Sequence, residues 1–191
     1  MNDFEFFFSF YGLLLGLAVA EVAVKLADAI GARRRVTIGW LTPALAVFIL
    51  FDLAGFWMWA WANRHGLTIS WALVLGGLVV AVTYFLAAAL VFPREPDEWP
   101  ALDDYYWEHK RIVVSGVMAA NAVVTTFTFI RYPPGANFIV WFFQFIYFVP
   151  LIALLFTRKR RVDLGLLVIL IFGYPLAVLA PTSAWGAMTG L

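Results

Sequence analysis

Apolar runs of about 20 residues recur six times along the chain, separated by short polar segments. A transmembrane α-helix needs about 20 apolar residues to cross a hydrocarbon core of ~30 Å. Helices satisfy their own backbone hydrogen bonds in lipid. The period-two alternation of apolar and polar residues that is typical of barrel strands does not occur in this sequence. The pattern therefore predicts an all-α membrane protein, a bundle of six transmembrane helices. The predicted helices are 6–30, 38–62, 69–92, 112–130, 138–157 and 164–185.

Short connections join most of these helices, so sequential helices are expected to pack as antiparallel neighbours within one integral membrane domain, 1–191. The loop 93–111 is longer, with three prolines, six acidic residues and four aromatic residues. It divides the chain into two sets of three helices. Because three is an odd number, the second set enters the membrane with the opposite orientation to the first, as in transporters built from inverted repeats. A 3+3 inverted arrangement is therefore one interpretation, although internal matches are limited to Trp40 with Pro43 and Trp141 with Pro150.

Lysine and arginine are concentrated at one end of the predicted helices. The connections after helices 1, 3 and 5 carry ten of them, and those after helices 2 and 4 carry two. By the positive-inside rule, the odd-numbered connections are cytoplasmic and both termini lie outside. Six tryptophans near the opposite helix ends agree with an aromatic belt there. They are Trp57, Trp59, Trp61, Trp71, Trp141 and Trp185.

Composition supports the same class of protein. Hydrophobic residues make up 64% of the chain and charged residues 13%, outside the range of soluble domains. There is no cysteine, which excludes disulfides and thiolate chemistry. The start of the chain is acidic, so we do not expect a cleavable signal peptide there. We expect a multi-pass protein of a bacterial inner membrane, with the lipid bilayer rather than nucleic acid as its partner.

Polar residues inside the helices define a layer near the middle of the membrane. Counting along each helix at ~1.5 Å per residue places one polar side chain from every helix ~15–25 Å from its predicted cytoplasmic end. Asp52 lies at the outer side of this layer. The other members are Glu21, Thr83, Asn121, Gln144 and Tyr174. Since helices 1 and 2 are joined by a tight turn, Glu21 and Asp52 could share a site.

The first helix has one polar face and one smooth face. Glu21, Lys25 and Asp28 follow i, i+4, i+7 spacing, with glutamate before lysine in the favourable order. This helix is expected inside the bundle or at a subunit interface. The alternative is that Lys25 neutralises Glu21 and extends with Asp28 toward the headgroups. The smooth face, which would allow close packing in a homo-oligomer, consists of Gly12, Gly16 and Ala20.

Asp52 suggests two functions from different classes. Carboxylates inside membrane helices often mark proton relays and ion paths, so the first hypothesis is a small transporter or channel for protons, cations or a small solute. Its substrate or ion site would comprise Asp52, Glu21, Lys25, Asn121, Gln144 and Tyr174. The second hypothesis is a scaffold or accessory subunit, in which Asp52 is protonated or capped by neighbours in a dry bundle.

The acidic residues of the loop 93–111 suggest a metal-binding site as one hypothesis. Asp103, Asp104, Glu108 and His109 lie within seven residues, and carboxylates with an imidazole suit a hard divalent cation. A solvated surface helix anchored by its aromatic residues is the interpretation that we favour. No GxSxG, HExxH or P-loop motif occurs, so no constellation predicts an enzyme, and we expect no cofactor.

Overall fold

The computed structural model describes residues 3–64 and 70–178. Within these residues the chain forms six α-helices and no strand, which confirms the all-helical prediction. The helices are α1 (Asp3–Gly31), α2 (Leu41–Ala62), α3 (Trp71–Ala89), α4 (Leu102–Arg131), α5 (Phe138–Phe156) and α6 (Arg160–Val178). By length and composition, α1 to α5 can each cross a membrane. The last part of the sixth predicted helix, 179–185, lies outside the described residues.

The helices pack in a closed ring in the order α1, α3, α4, α5, α6 and α2, and α2 also contacts α4 across the ring. Four sequential pairs are neighbours, as expected from their short connections. The pair α2 and α3 differs, because α1 packs extensively along α3 and also lies against α2. About half of the most apolar stretch of α2 is buried, against 22% in α5, so α2 is the most buried of the five helices α1 to α5.

The outer faces of the helices expose large apolar side chains, including Trp71, Ile130 and Phe138, each more than three-quarters exposed. A continuous apolar surface of this kind is unfavourable in water, and it matches the hydrocarbon that a spanning helix meets. Large side chains also fill the inside of the ring, where Phe48, Ile49 and Leu53 of α2 are fully buried. The same bundle is therefore apolar on both its inner and outer faces.

Three helices begin earlier than the hydrophobic pattern predicts, α1 by three residues and α4 and α6 by a full turn or more. The predicted loop 93–111 ends at residue 101, because α4 starts at Leu102 and continues unbroken to Arg131. Its first turns bury Tyr106 and Lys110 against the rest of the bundle. Helix α6 starts at Arg160 rather than residue 164, with Asp163 buried in its first turn. Packing thus stabilises polar helical turns that an apolar-run criterion leaves out.

The basic residues 33–35, 110–111 and 158–161 mark one end of the bundle, called the basic end below. Here the Asp103 carboxylate of α4 accepts hydrogen bonds from the backbone N–H groups of Leu41 (3.0 Å), Trp40 and Thr42 (3.3 Å each). Asp103 therefore caps the N-terminus of α2, where a negative charge is favourable. Arg160 of α6 pairs with the same carboxylate at 3.0 Å.

A glycine makes room for this cap. Gly39 has a φ of +71°, and a Cβ atom at this position would overlap the Asp103 carboxylate. Glycine alone combines that backbone conformation with the close approach of a side chain. The three helices α2, α4 and α6 are consequently joined at the basic end through one carboxylate.

A second buried carboxylate at the basic end lies beside this cap. Asp163 accepts hydrogen bonds from Lys110 Nζ (2.5 Å), the Tyr106 hydroxyl (2.9 Å) and the Thr157 hydroxyl. Lys110 Nζ also donates to the Thr157 carbonyl (2.6 Å). Lys110 and Asp163 are 2% and 0% exposed, so this is a fully buried ion pair between α4 and α6.

Candidate functional site

The candidate site is built around Asp52, in the middle of α2. The side chain faces the inside of the ring and the residue is only 3% exposed. Among the described residues, no lysine or arginine forms an ion pair with it. A carboxylate without a cationic partner in such surroundings must obtain its stabilisation from hydrogen bonds.

Three side chains from three other helices donate these hydrogen bonds. The amide of Asn121 on α4 donates to Asp52 Oδ2 at 3.0 Å, and the hydroxyl of Tyr147 on α5 donates to the same oxygen at 2.9 Å. The hydroxyl of Tyr174 on α6 donates to Oδ1. Both carboxylate oxygens are therefore occupied, and four helices meet at one acidic group.

A further tyrosine extends the cluster to α3. The Asn121 amide nitrogen lies 2.9 Å from the hydroxyl of Tyr84 and 3.1 Å from the carbonyl of Val117, one turn earlier on α4. The Tyr84 ring is fully buried and packs edge-on against Phe56 of α2. The bond to Val117 fixes the amide of Asn121 between α2 and α3.

Local packing explains how the tyrosines reach Asp52. Tyr174 stacks on Phe51, with ring centroids 5.8 Å apart, and it passes over Gly55, where a Cβ atom would lie 3.2 Å from its ring. The Tyr147 ring rests against Phe48, one turn before Asp52 on α2. Aromatic and small residues on α2 thus orient both hydroxyl groups toward the carboxylate.

The structure brings together three of the residues that the sequence suggests: Asp52, Asn121 and Tyr174. Glu21 and Lys25 lie apart from them as an ion pair on α1, 3.9 Å between Lys25 Nζ and Glu21 Oε1, with both side chains partly exposed. Gln144 on α5 is partly exposed and is not among the hydrogen-bond donors to Asp52.

Two members of the cluster, Tyr84 and Tyr147, were missed by the sequence reasoning. For α3 the polar residue selected was Thr83, whose hydroxyl bonds to the carbonyl of Val79 in its own helix at 2.7 Å. For α5 it was Gln144, one turn before Tyr147. A signal existed, because a tyrosine buried in an apolar span requires a partner for its hydroxyl group.

The cluster combines one carboxylate with hydroxyl and amide groups. An ionised carboxylate only accepts hydrogen bonds, whereas the tyrosine hydroxyls around it can donate or accept. The group can therefore exist in two protonation states with different hydrogen-bond directions. An ionised carboxylate fits these partners when both tyrosines donate, and a protonated carboxylate fits them when one tyrosine accepts.

The acidic residues 103–109 do not form a metal centre in the structure. Within the described ranges, no group of three or more histidine, aspartate or glutamate side chains is arranged to hold a metal ion. Asp103 instead caps α2, and the ring of His109 stacks on Tyr105 at 3.9 Å. Packing between helices accounts for both of these side chains.

Compared with known proteins, the chain matches no family model, no curated protein and no solved structure.

Proposed function

We propose that this protein is a small polytopic membrane transporter or channel in which Asp52 binds and releases a proton or another cation. The observation that carries the proposal is the position of the Asp52 carboxylate, buried in an apolar span and hydrogen-bonded by side chains of α4, α5 and α6. Ionisable residues at such positions are costly to maintain and mark ion paths and relays.

The hydrogen-bond directions supply a mechanism that links proton binding to helix packing. When Asp52 takes up a proton, one of its oxygens becomes a donor and needs an acceptor. The Asn121 amide nitrogen cannot accept, but the hydroxyls of Tyr147 and Tyr174 can. Protonation therefore reverses or breaks a bond to α5 or α6, and weakens charge-assisted bonds that are about twice as strong as neutral ones.

We also propose an orientation of the bundle in the membrane. The basic end faces the cytoplasm and the tryptophan-rich end faces outward, with both termini outside, in a membrane such as a bacterial inner membrane. The two sets of three helices then have opposite orientations, as a 3+3 inverted arrangement requires. An inverted repeat would give α4 and α6 a contact as extensive as the one between α1 and α3. In the ring α5 lies between α4 and α6, so the helix packing does not support the repeat.

A scaffold or accessory subunit is the second candidate, and specific observations favour it. Glu21 is paired with Lys25, and Asp52 is capped by its neighbours, as expected for a dry bundle. On α1, Gly12 packs against the Trp57 ring of α2, whereas Gly16 has open space beside it. If the protein is a scaffold that self-associates, the contact between copies would therefore use Gly16 and the exposed Ala20.

The deciding experiment measures ion flux in vesicles that contain the purified protein. Proton entry is followed with a trapped pH-sensitive dye under an imposed potential, and parallel experiments use Na⁺ or K⁺ gradients. We expect flux with the native chain and its loss in Asp52→Asn, which keeps the size and most hydrogen bonds of the side chain.

The matched control is Asp28→Asn, the same chemical change at an exposed position on α1. It should conduct like the native chain. Normal flux in a folded Asp52→Asn variant would refute the role of Asp52. No flux of protons or cations in the native chain would refute ion transport and favour the scaffold.

A further inference from the structure

A depression of about 640 Å³ lies at the basic end, between the first turns of α4 and the connection from α5 to α6. We propose that it binds the headgroup of a phospholipid that carries both a phosphate and a primary ammonium group, as phosphoethanolamine does. Its volume is within the range of small-molecule sites. The residues that line it are Asp104, Trp107, Glu108, Lys110, Arg111 and Arg158.

The charges in the depression have both signs. Lys110 is neutralised by Asp163, at 2.5 Å, and its ammonium group also donates to the Thr157 carbonyl. Two arginines and two carboxylates remain, so their formal charges cancel. A ligand with one negative and one positive group complements this set better than an anion alone does.

The arginines are prepared for a phosphate group. Arg111 Nε donates to the Leu155 carbonyl at 3.0 Å, which orients the guanidinium group. The Arg158 side chain is exposed and forms no hydrogen bond or ion pair with any residue that the structure describes. Arginine presents N–H groups in a fork that matches phosphate oxygens, and it keeps its charge at every physiological pH.

The position of the depression favours a lipid over a soluble phosphate ester. Ile112 follows Arg111 directly and is 59% exposed, and Phe156, two residues before Arg158, is 75% exposed. At both places, an arginine that can bind a headgroup phosphate lies next to an exposed apolar side chain that can contact the acyl chains. A phospholipid would place its phosphate at the arginines and its acyl chains along Ile112 and Phe156.

Native mass spectrometry of the delipidated protein tests this proposal with three lipids that have the same acyl chains. We expect phosphatidylethanolamine to bind more tightly than phosphatidylcholine, whose quaternary ammonium cannot donate hydrogen bonds, and than phosphatidylglycerol, which has no cation. Arg158→Gln should weaken phosphatidylethanolamine binding roughly tenfold, the effect of losing a charge-assisted hydrogen bond. Glu108→Gln should weaken it while phosphatidylglycerol binding stays equal or increases.

The control is Lys159→Gln, which removes a neighbouring exposed charge that does not line the depression, and it should leave the lipid preference unchanged. Equal binding of the three lipids would overturn the proposal. Preference for phosphatidylglycerol would reduce the site to a general basic surface, and displacement by millimolar soluble phosphoethanolamine would assign the site to a free ester. None of these outcomes depends on ion transport through Asp52.

Discussion

Lys110 offers the sharpest test of how the basic end is held together, because it is a buried lysine with a defined acidic partner. The perturbation is Lys110→Met, which keeps a side chain of similar length and removes the ammonium group. Two hydrogen bonds disappear, to Asp163 at 2.5 Å and to the Thr157 carbonyl at 2.6 Å. Both members of the pair are almost completely buried.

The expected magnitude follows from what remains around Asp163. Removing one partner of a buried ion pair costs ~3–5 kcal/mol, because the other charge is left without compensation. Asp163 keeps the hydroxyl donors of Tyr106 and Thr157. We therefore expect a loss at the lower limit, about 3 kcal/mol of unfolding free energy.

Neutralising both partners should restore part of this loss. In Lys110→Met with Asp163→Asn no charge is left buried, and the asparagine oxygen can still accept from Tyr106 or Thr157. The double variant should be more stable than Lys110→Met alone, with a coupling energy of about 1–3 kcal/mol.

The assay is thermal unfolding of the purified protein in detergent, read as the remaining monodisperse fraction in size-exclusion chromatography. At about 2–4 °C per kcal/mol for a chain of this size, Lys110→Met should lower the midpoint by roughly 6–12 °C. Lys159→Met, at an exposed lysine, is the control and should change it little. A loss below ~1 kcal/mol for Lys110→Met, or additive losses in the double variant, would show that the pair of Lys110 and Asp163 does not hold α4 and α6 together.

Three further stability predictions use the same assay and control. Gly39→Ala should cost at least ~1 kcal/mol, because alanine strains the positive φ and its Cβ overlaps the carboxylate of Asp103; a neutral effect would contradict this cap geometry. Asp103→Ala should cost about 2 kcal/mol through loss of the cap on Leu41 and its neighbours, and an unchanged midpoint would show that the cap is dispensable. Thr128→Val should cost ~1–3 kcal/mol by leaving the Trp59 indole N–H, now 2.9 Å from the Thr128 hydroxyl, without its acceptor; a neutral effect accompanied by unaltered tryptophan fluorescence would argue against that bond.

The helices themselves could be predicted because the requirement in lipid is local. Each span has to satisfy its own backbone hydrogen bonds, so an apolar run of sufficient length is enough to indicate a helix. The predicted start of a helix was wrong where a polar segment is helical, because an apolar run does not mark such a segment. At residues 102–111 the chain is polar in sequence, but Tyr106 and Lys110 are buried by contacts with α6, so the helix extends ten residues beyond the apolar run.

The candidate site could be predicted in part. Asp52 was evident from the cost of a carboxylate in an apolar run, and depth counting placed Asn121 and Tyr174 in the same polar layer, with Asp52 at its outer side. Depth carries no information about which way a side chain faces, so it also included Gln144 and Glu21 and omitted Tyr147.

Local composition and helix rise are enough to predict an all-helical chain with spans of membrane length, a basic end and one anomalous carboxylate. Which side chains meet in the bundle depends on contacts between helices that are far apart in the chain. Tyr147 and Tyr174 reach Asp52 from 95 and 122 residues away, and Asp103 caps a helix that begins 62 residues before it. Such contacts depend on the rotation and order of helices in the ring, which are set by packing between distant segments and leave no periodic signal along the chain.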